Sequence, residues 1–352
     1  MHASFARYST ISLLVVLSVC GLAACGSPVP SSTDDTSVTM RVGYFPNITH
    51  SQALIGTARG DFAQALGPDV TLDTKVFNAG PSVIEAIFAN QLDLAYIGPN
   101  PAINGYQKSS GEALRIVSGA TSGGASLVVR PEANIQTAAD LDGKKLATPQ
   151  MGNTQDIALR AYLGTQGLKP IENGGTVQVI PVDNPQILDL FRQGRIDGAW
   201  VPEPWATRLV VEGGGRVFLD ERDLWPDGEF VTAHVIVSTP FLEKHPDLVK
   251  AWLDAHVEIT EWANQNPDQA KTLVNAEIAR LTGKALPVEV IDGAWSRLRL
   301  TTDPIAQSLF TSADHAFAAG FLKEQPDLQG IYDLGLLNEV LQAKSMPTVA
   351  AE

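Results

Sequence analysis

The residues with chemical potential in this chain are neutral hydrogen-bonding groups gathered in short turns. Asn47 and Thr49 sit in one turn, Gly80 and Ser82 in a second, and Gly98 and Asn100 in a third. Ser122 and Gly123 form a fourth, Asn153 and Thr154 a fifth, and Trp200 and Glu203 belong to a sixth, WVPEPW. Most of these turns join an apolar run to a helical pattern. Helix N-termini expose unpaired N–H groups and carry about half a positive charge, so several converging on one point hold an anion without any Lys or Arg. Each of these residues taken singly could equally be an ordinary helix cap. Glu203 has two readings: a carboxylate that satisfies a helix start, or one that faces a cleft and accepts from an amine or a water. Trp200 is either core or the wall for an alkyl chain. His234, within FVTAHVIV, is either a satisfied structural histidine or a donor to a ligand oxyanion.

Other chemistries find no footing. His50 and His234 are too far apart for metal-ligand spacing, and no third His or Cys joins them. No G-x-S-x-G, H-E-x-x-H or P-loop occurs, and the paired Asp34 and Asp35 lie in a polar tract. Both cysteines fall in the first 25 residues, which leaves the body without a disulfide, a thiol nucleophile or a Cys-based metal site. No catalytic constellation, metal site or cofactor is expected.

The elements that must position these turns are clearest in residues 78–100, NAGPSVIEAIFANQLDLAYIGPN. Gly80 and Pro81 open a helix, since Pro suits a first helical position. Val83, Ile84, Ile87 and Phe88 form its apolar stripe, Asn90 ends it, and Asp93–Ile97 is a short apolar strand. Residues 184–202 repeat this pattern 104 positions later, with Asp197 on Asp93 and Trp200 on Tyr96. Upstream, residues 41–60 lie over 145–164 in the same way, each copy reading strand, polar turn, helix, strand, helix, strand. Thr49 or Ser51 is expected to cap the first helix and Asn153 its counterpart. Two such α/β units predict two lobes with a cleft between them. The strand breaks at Thr121–Ala125, where a glycine pair suits a crossover and hinge, and residues 230–237 read as the strand that returns. Lobe 1 is thus assigned to 38–122 and 233–345, and lobe 2 to 123–232. From Pro246 onward the pattern is helical, with later helices near 305–321 and 328–342.

Length and composition agree. The 352 residues exceed one ordinary domain, and 44% hydrophobic with 18% charged is the balance of a globular chain with ample core. A net charge of −14 argues against nucleic acid as a partner. Residues 1–24 read as an export signal, with an apolar run from Ile11 to Val19 too short to span a bilayer. Leu22-Ala23-Ala24-Cys25 is similar to a bacterial lipobox, whose cysteine receives a lipid; a plain signal peptide is the alternative. Residues 25–37 form a Pro/Ser/Thr/Asp tether. The expected location is extracytoplasmic, as a monomer touching the membrane only through the lipid on Cys25.

The blocks GYFPN, AGPSVIEAIFANQLDLAYIGPNPAIN, SGGASLVVR and DGAWVPEPWATRL resemble the solute-binding proteins of bacterial ABC importers, in the aliphatic sulfonate, taurine and nitrate branch. The resemblance spans nearly all of 38–345. It implies an α/β, type II-like periplasmic-binding-protein fold, each lobe an open, mostly parallel sheet with flanking helices, and the ligand in the cleft. It implies a permease and its ATPase as partners. It also implies ligand contacts at Asn47, Ser82, Asn100, Ser122, Gly123, Asn153, Thr154 and near Glu203. The small anion expected is an aliphatic sulfonate, with taurine, nitrate, phosphonate or a pyrimidine precursor as alternatives. A pyrimidine-synthase-like enzyme and a sensory binding domain are further alternatives; the first is disfavoured by the missing cysteine-rich motif.

Overall fold

A computed structural model describes residues 38–351; the segment 1–24, the tether 25–37 and Cys25 lie outside the described residues. Strand β1 (Val38–Tyr44) leads through a 3₁₀ turn (Ile48–His50) into helices α1 (Ser51–Arg59) and α2 (Asp61–Leu66). Then come β2 (Val70–Val76), α3 (Gly80–Phe88), β3 (Leu94–Ile97), α4 (Pro99–Lys108) and β4 (Leu114–Gly123). The next stretch holds β5 (Ala125–Val129), β6 (Lys145–Thr148), α5 (Thr154–Thr165), β7 (Gln178–Pro181) and α6 (Asn184–Arg192). It continues through β8 (Gly198–Pro202), α7 (Trp205–Val211) and β9 (Arg216–Asp220). The chain ends with β10 (Val231–Ser238), α8 (Thr239–Lys244), α9 (Pro246–Gln265), α10 (Pro267–Thr282), α11 (Val288–Trp295), β11 (Leu298–Leu300), α12 (Ala306–Ala318) and α13 (Gly335–Ala343).

Two sheets result, in the orders β11-β4-β10-β3-β1-β2 and β7-β6-β8-β5-β9. In the first, β1 to β4 run one way while β10 and β11 oppose them; in the second, only β5 opposes the rest. Each sheet is therefore mostly parallel, as expected, with a minority of opposed strands. The physical reason is the crossover. β5 and β10 are the strands by which the chain passes from one sheet to the other, and each slots in antiparallel beside a strand of its new sheet. Gly123 and Gly124, at φ +74° and +78°, make the first passage in a left-handed conformation that side chains rarely adopt.

The repeat has a physical basis in register. Val42 pairs with Leu94 and Gly43 with Ala95; 104 positions on, Leu146 pairs with Gly198 and Ala147 with Ala199. Asp93 accepts from the backbone N–H of Arg41 at 2.8 Å, and Asp197 accepts from that of Lys145 at 2.8 Å. Helices α3 and α6 end alike, with Gln91 N donating to Ala86 O and Arg195 N to Leu190 O around a left-handed residue, Asn90 or Gly194. The same backbone problem was solved twice, by two different residues.

Local expectations fail where packing outweighs pattern. Phe88, placed on the apolar stripe, is 44% exposed at the last turn of α3, while Val83, Ile84 and Ile87 are buried. Strand β4 runs on through Thr121 and Ser122 because β11 pairs with them. The final helix starts at Gly335, since the preceding segment lies along β4 with Tyr332 bridged to Ile116. Neither Thr49 nor Ser51 caps α1; Ser51 Oγ donates to Ile48 O instead. No described helix is long and apolar enough to cross a membrane.

Candidate functional site

The carboxyl ends of β1, β3, β6 and β8 face one another across the cleft, the position where open α/β sheets bind ligands. They border a small, partly open cavity of about 30 Å³. One side is built by Phe45, Asn47, Thr49 and His50 after β1, Asn78 to Gly80 at the start of α3, Gly98 and Pro101 at α4, and Thr232 on β10. The other side is Pro149, Asn153 to Gln155 at the start of α5, Asn184 at the start of α6, and Pro202 at the end of β8. Five pairs of these residues stand 104 positions apart: Phe45 and Pro149, Thr49 and Asn153, His50 and Thr154, Gly80 and Asn184, Gly98 and Pro202. The cavity is thus the meeting point of the two copies of one frame.

Among the described residues, no Lys, Arg, Asp or Glu lines it. The polarity comes from amides, hydroxyls, one imidazole and the N-termini of α3, α5 and α6. His50 is buried, and Phe45 N donates to its Nδ1 at 3.3 Å. Burial pushes this imidazole down to about 3, so it stays neutral and carries its proton on Nε2 as a hydrogen-bond donor. The turn is fixed from behind, where Thr121 Oγ1 donates to Thr49 O at 2.7 Å. On the facing turn, Asn153 Oδ1 accepts from Asp156 N at 2.8 Å, the cap expected of it.

Asp156 organises that facing turn. Its buried carboxylate accepts from Gly152 N at 2.8 Å, Thr148 Oγ1 at 3.0 Å and Arg160 Nε at 3.1 Å. The two walls are also joined directly. Trp205 Nε1 donates to Asn47 Oδ1 at 3.0 Å, and Gln150 Nε2 to Ser82 Oγ at 3.3 Å. Asn78 spans the gap with Nδ2 donating to Asp183 Oδ1 at 3.0 Å and Pro149 O at 3.3 Å, while its Oδ1 accepts from Asn184 N at 3.3 Å. The lobes are closed upon each other.

The cavity gathers Asn47, Thr49, Gly80, Gly98, Asn153 and Thr154 from the sequence-derived set. Ser82 lies at the cleft edge on Gln150 and outside the cavity wall. The others are held elsewhere. Asn100 Nδ2 donates to Ser312 O at 3.0 Å and ties α4 to α12. Ser122 Oγ donates to Glu229 at 2.7 Å beside the glycine crossover, and the Gly123 carbonyl accepts from Thr232 Oγ1. Trp200 is core, edge-on to Tyr162, with Nε1 donating to Glu221 at 2.7 Å. His234 Nε2 donates to Pro304 O at 3.1 Å under the first sheet. His50, Asn78, Asn184 and Thr232 were not singled out as ligand contacts. The repeat alone pointed to two of them, since it aligns His50 with Thr154 and Asn184 with Gly80.

Glu203 takes the first of its two readings, a carboxylate at a helix start. It is fully buried and accepts from Thr207 N at 3.0 Å and Thr207 Oγ1 at 2.9 Å, with Arg297 Nε 3.5 Å away. Burial pushes its carboxyl up to about 7 against these partners. A carboxyl raised above its unfolded value stabilises the fold while protonated, and that contribution is lost as pH rises from about 4.5 to 7. Glu203→Gln has no charge to bury, so its stability relative to the native chain improves between about pH 5 and pH 8. Urea unfolding of both proteins at the two pH values measures this, and a pH-independent difference would contradict it.

The profile of the NMT1-like family matches residues 33–279. The taurine-binding periplasmic protein of Escherichia coli (strain K12) is 29% identical over 237 residues, covering 66% of this chain and 69% of that protein. The alkanesulfonate-binding protein SsuA from Xanthomonas axonopodis pv. citri, solved bound to MOPS, superposes with a TM-score of 0.72 at 18% identity, covering 85% of this chain and 99% of the other. The periplasmic nitrate-binding protein NrtA from Synechocystis PCC 6803 gives 0.73 at 17% identity, over 88% and 90%. These two structures share the fold with this chain.

Proposed function

We propose that this chain, which belongs to the NMT1-like family, is the extracytoplasmic substrate-binding component of an ABC importer and carries an aliphatic sulfonate. One observation carries the reading: a cavity between the lobes with three helix N-termini and neutral donors but, among the described residues, no ionised side chain. A sulfonate spreads one charge over three oxygens, and dispersed donors match it better than a single point cation does. The relatives' names, taurine and alkanesulfonate binding, agree with this choice of anion. Delivery of the bound anion to a membrane permease is part of this reading.

A second reading rests on one atom. Oδ1 of Asn184 is buried without a partner in the cavity wall. A buried acceptor left unpaired costs about 1–3 kcal/mol, which favours a ligand that brings an N–H donor as well as the anion, an aminosulfonate. A thermal-shift screen of ethanesulfonate, taurine, nitrate and a pyrimidine separates these. Ligand at about 100 times its Kd adds about 2.7 kcal/mol to the stability, so ethanesulfonate or taurine raises the melting temperature. A shift with the pyrimidine alone would overturn the anion reading.

A further inference from the structure

A second chamber, of about 450 Å³, lies away from the ligand cavity, between α5, the turn 221–226 and the start of α12. Its walls are mostly apolar, with Ala161 and Tyr162 on α5, Leu224 and Trp225 on the turn, and Ile305 just before α12. Into this setting the chain places Glu221, only 2% exposed. Its carboxylate accepts from Trp200 Nε1 and is approached by the indole N–H of Trp225, and among the described residues it has no basic side chain within ion-pair distance, unlike its neighbour Asp220, which pairs with Arg222 and Arg297. Among the described residues, no Lys or Arg lines the chamber; its other ionisable side chains are Tyr162, His315 and Glu229, the last already bonded to Ser122 and Arg299. Trp225 stacks on Phe230 at 5.4 Å, and its buried indole N–H is directed at the Glu221 carboxylate.

A buried carboxylate without a cation is expensive, and chains that keep one either protonate it or bring a cation to it. Burial pushes Glu221 up to about 7, so near neutral pH it is poised between those outcomes. We propose that the chamber is a second ligand site for a small apolar amine, its ammonium held by Glu221 and its hydrocarbon body packed on Trp225, Tyr162 and Leu224. Because α5 and α12 come from opposite sides of the cleft, such a ligand would touch both lobes.

Calorimetric titration of the full body with 2-phenylethylamine, and with 2-phenylethanol as its uncharged counterpart, tests this at about pH 8. The amine is expected to bind at least tenfold more tightly than the alcohol. Glu221→Gln, which leaves an acceptor for Trp200, is expected to remove that difference. Ala161→Phe puts a ring into the chamber while keeping Glu221 and is expected to abolish binding of both. Absence of amine binding, equal binding of amine and alcohol by the native protein, a preference for the amine that survives Glu221→Gln, or amine binding that survives Ala161→Phe overturns the proposal.

Discussion

Gly98→Val is expected to weaken ligand binding by about 10- to 100-fold while leaving the unliganded protein as stable as before. A Cβ at this position would stand 2.1 Å from Thr154 Oγ1 and 3.3 Å from Thr154 Cβ, atoms that belong to the opposite wall of the cavity. It would also lie 3.4 Å from Thr232 O. Gly98 itself has φ −74° and ψ 163°, ordinary extended geometry that valine adopts without strain. The clash therefore exists only when the lobes are shut, and opening relieves it. Overpacking of this kind costs about 1–3 kcal/mol, which charged wholly against closure is about 5- to 150-fold and brackets the stated loss. Gly80→Ala is the control with the opposite signature. Its Cβ would meet Pro101 at 2.4 Å and Ile97 at 3.0 Å within the same lobe, so opening cannot help and stability falls instead. Calorimetric titration together with urea unfolding separates the two, and native affinity in Gly98→Val would show that the lobes need not approach this closely.

Asp156→Ala is expected to cost about 3–5 kcal/mol of stability, the usual penalty for stripping one partner from a buried ion pair. The substitution strands Arg160, 6% exposed, and leaves Glu172 at its more exposed end as the remaining carboxylate, with Nη1 to Oε1 at 2.5 Å. It also frees Gly152 N and Thr148 Oγ1, so the turn bearing Asn153 and Thr154 loses its anchor. Affinity should fall along with stability, unlike in Gly98→Val. Asp156→Asn keeps one acceptor and is expected to recover part of both. Urea midpoints for the three proteins measure this, and an alanine variant within about 1 kcal/mol of native would refute the anchoring role.

The frame was legible because it is written twice. Pro81 and Pro185, Asp93 and Asp197, and the apolar runs after them fix strand, turn and helix locally, and the shared register of β1 with β3 and β6 with β8 follows from the same pattern. Turn residues close to strand ends, such as Thr49, Gly98 and Asn153, could be read as cavity residues for that reason. What lay beyond reach depends on partners distant in sequence. Nothing near Trp200 announces Glu221 as its acceptor, nothing near His234 announces Pro304, and Asn100 is claimed by Ser312, 212 positions later. The short strands β9 and β11 carry little pattern of their own and exist because β5 and β4 offer them an edge. Asn78 escaped notice because its clamp role is defined only when both lobes are present.

The claim on which the rest depends is that the cavity between the lobes holds an anion through neutral donors alone. Calorimetric titration of ethanesulfonate beside ethyl methyl sulfone, its uncharged analogue of similar shape, tests it most directly. One-site binding of the sulfonate is expected, with at least about 100-fold weaker binding of the sulfone, a gap of about 2.7 kcal/mol. Equal affinity for the two, or heat from the sulfone alone, would contradict it.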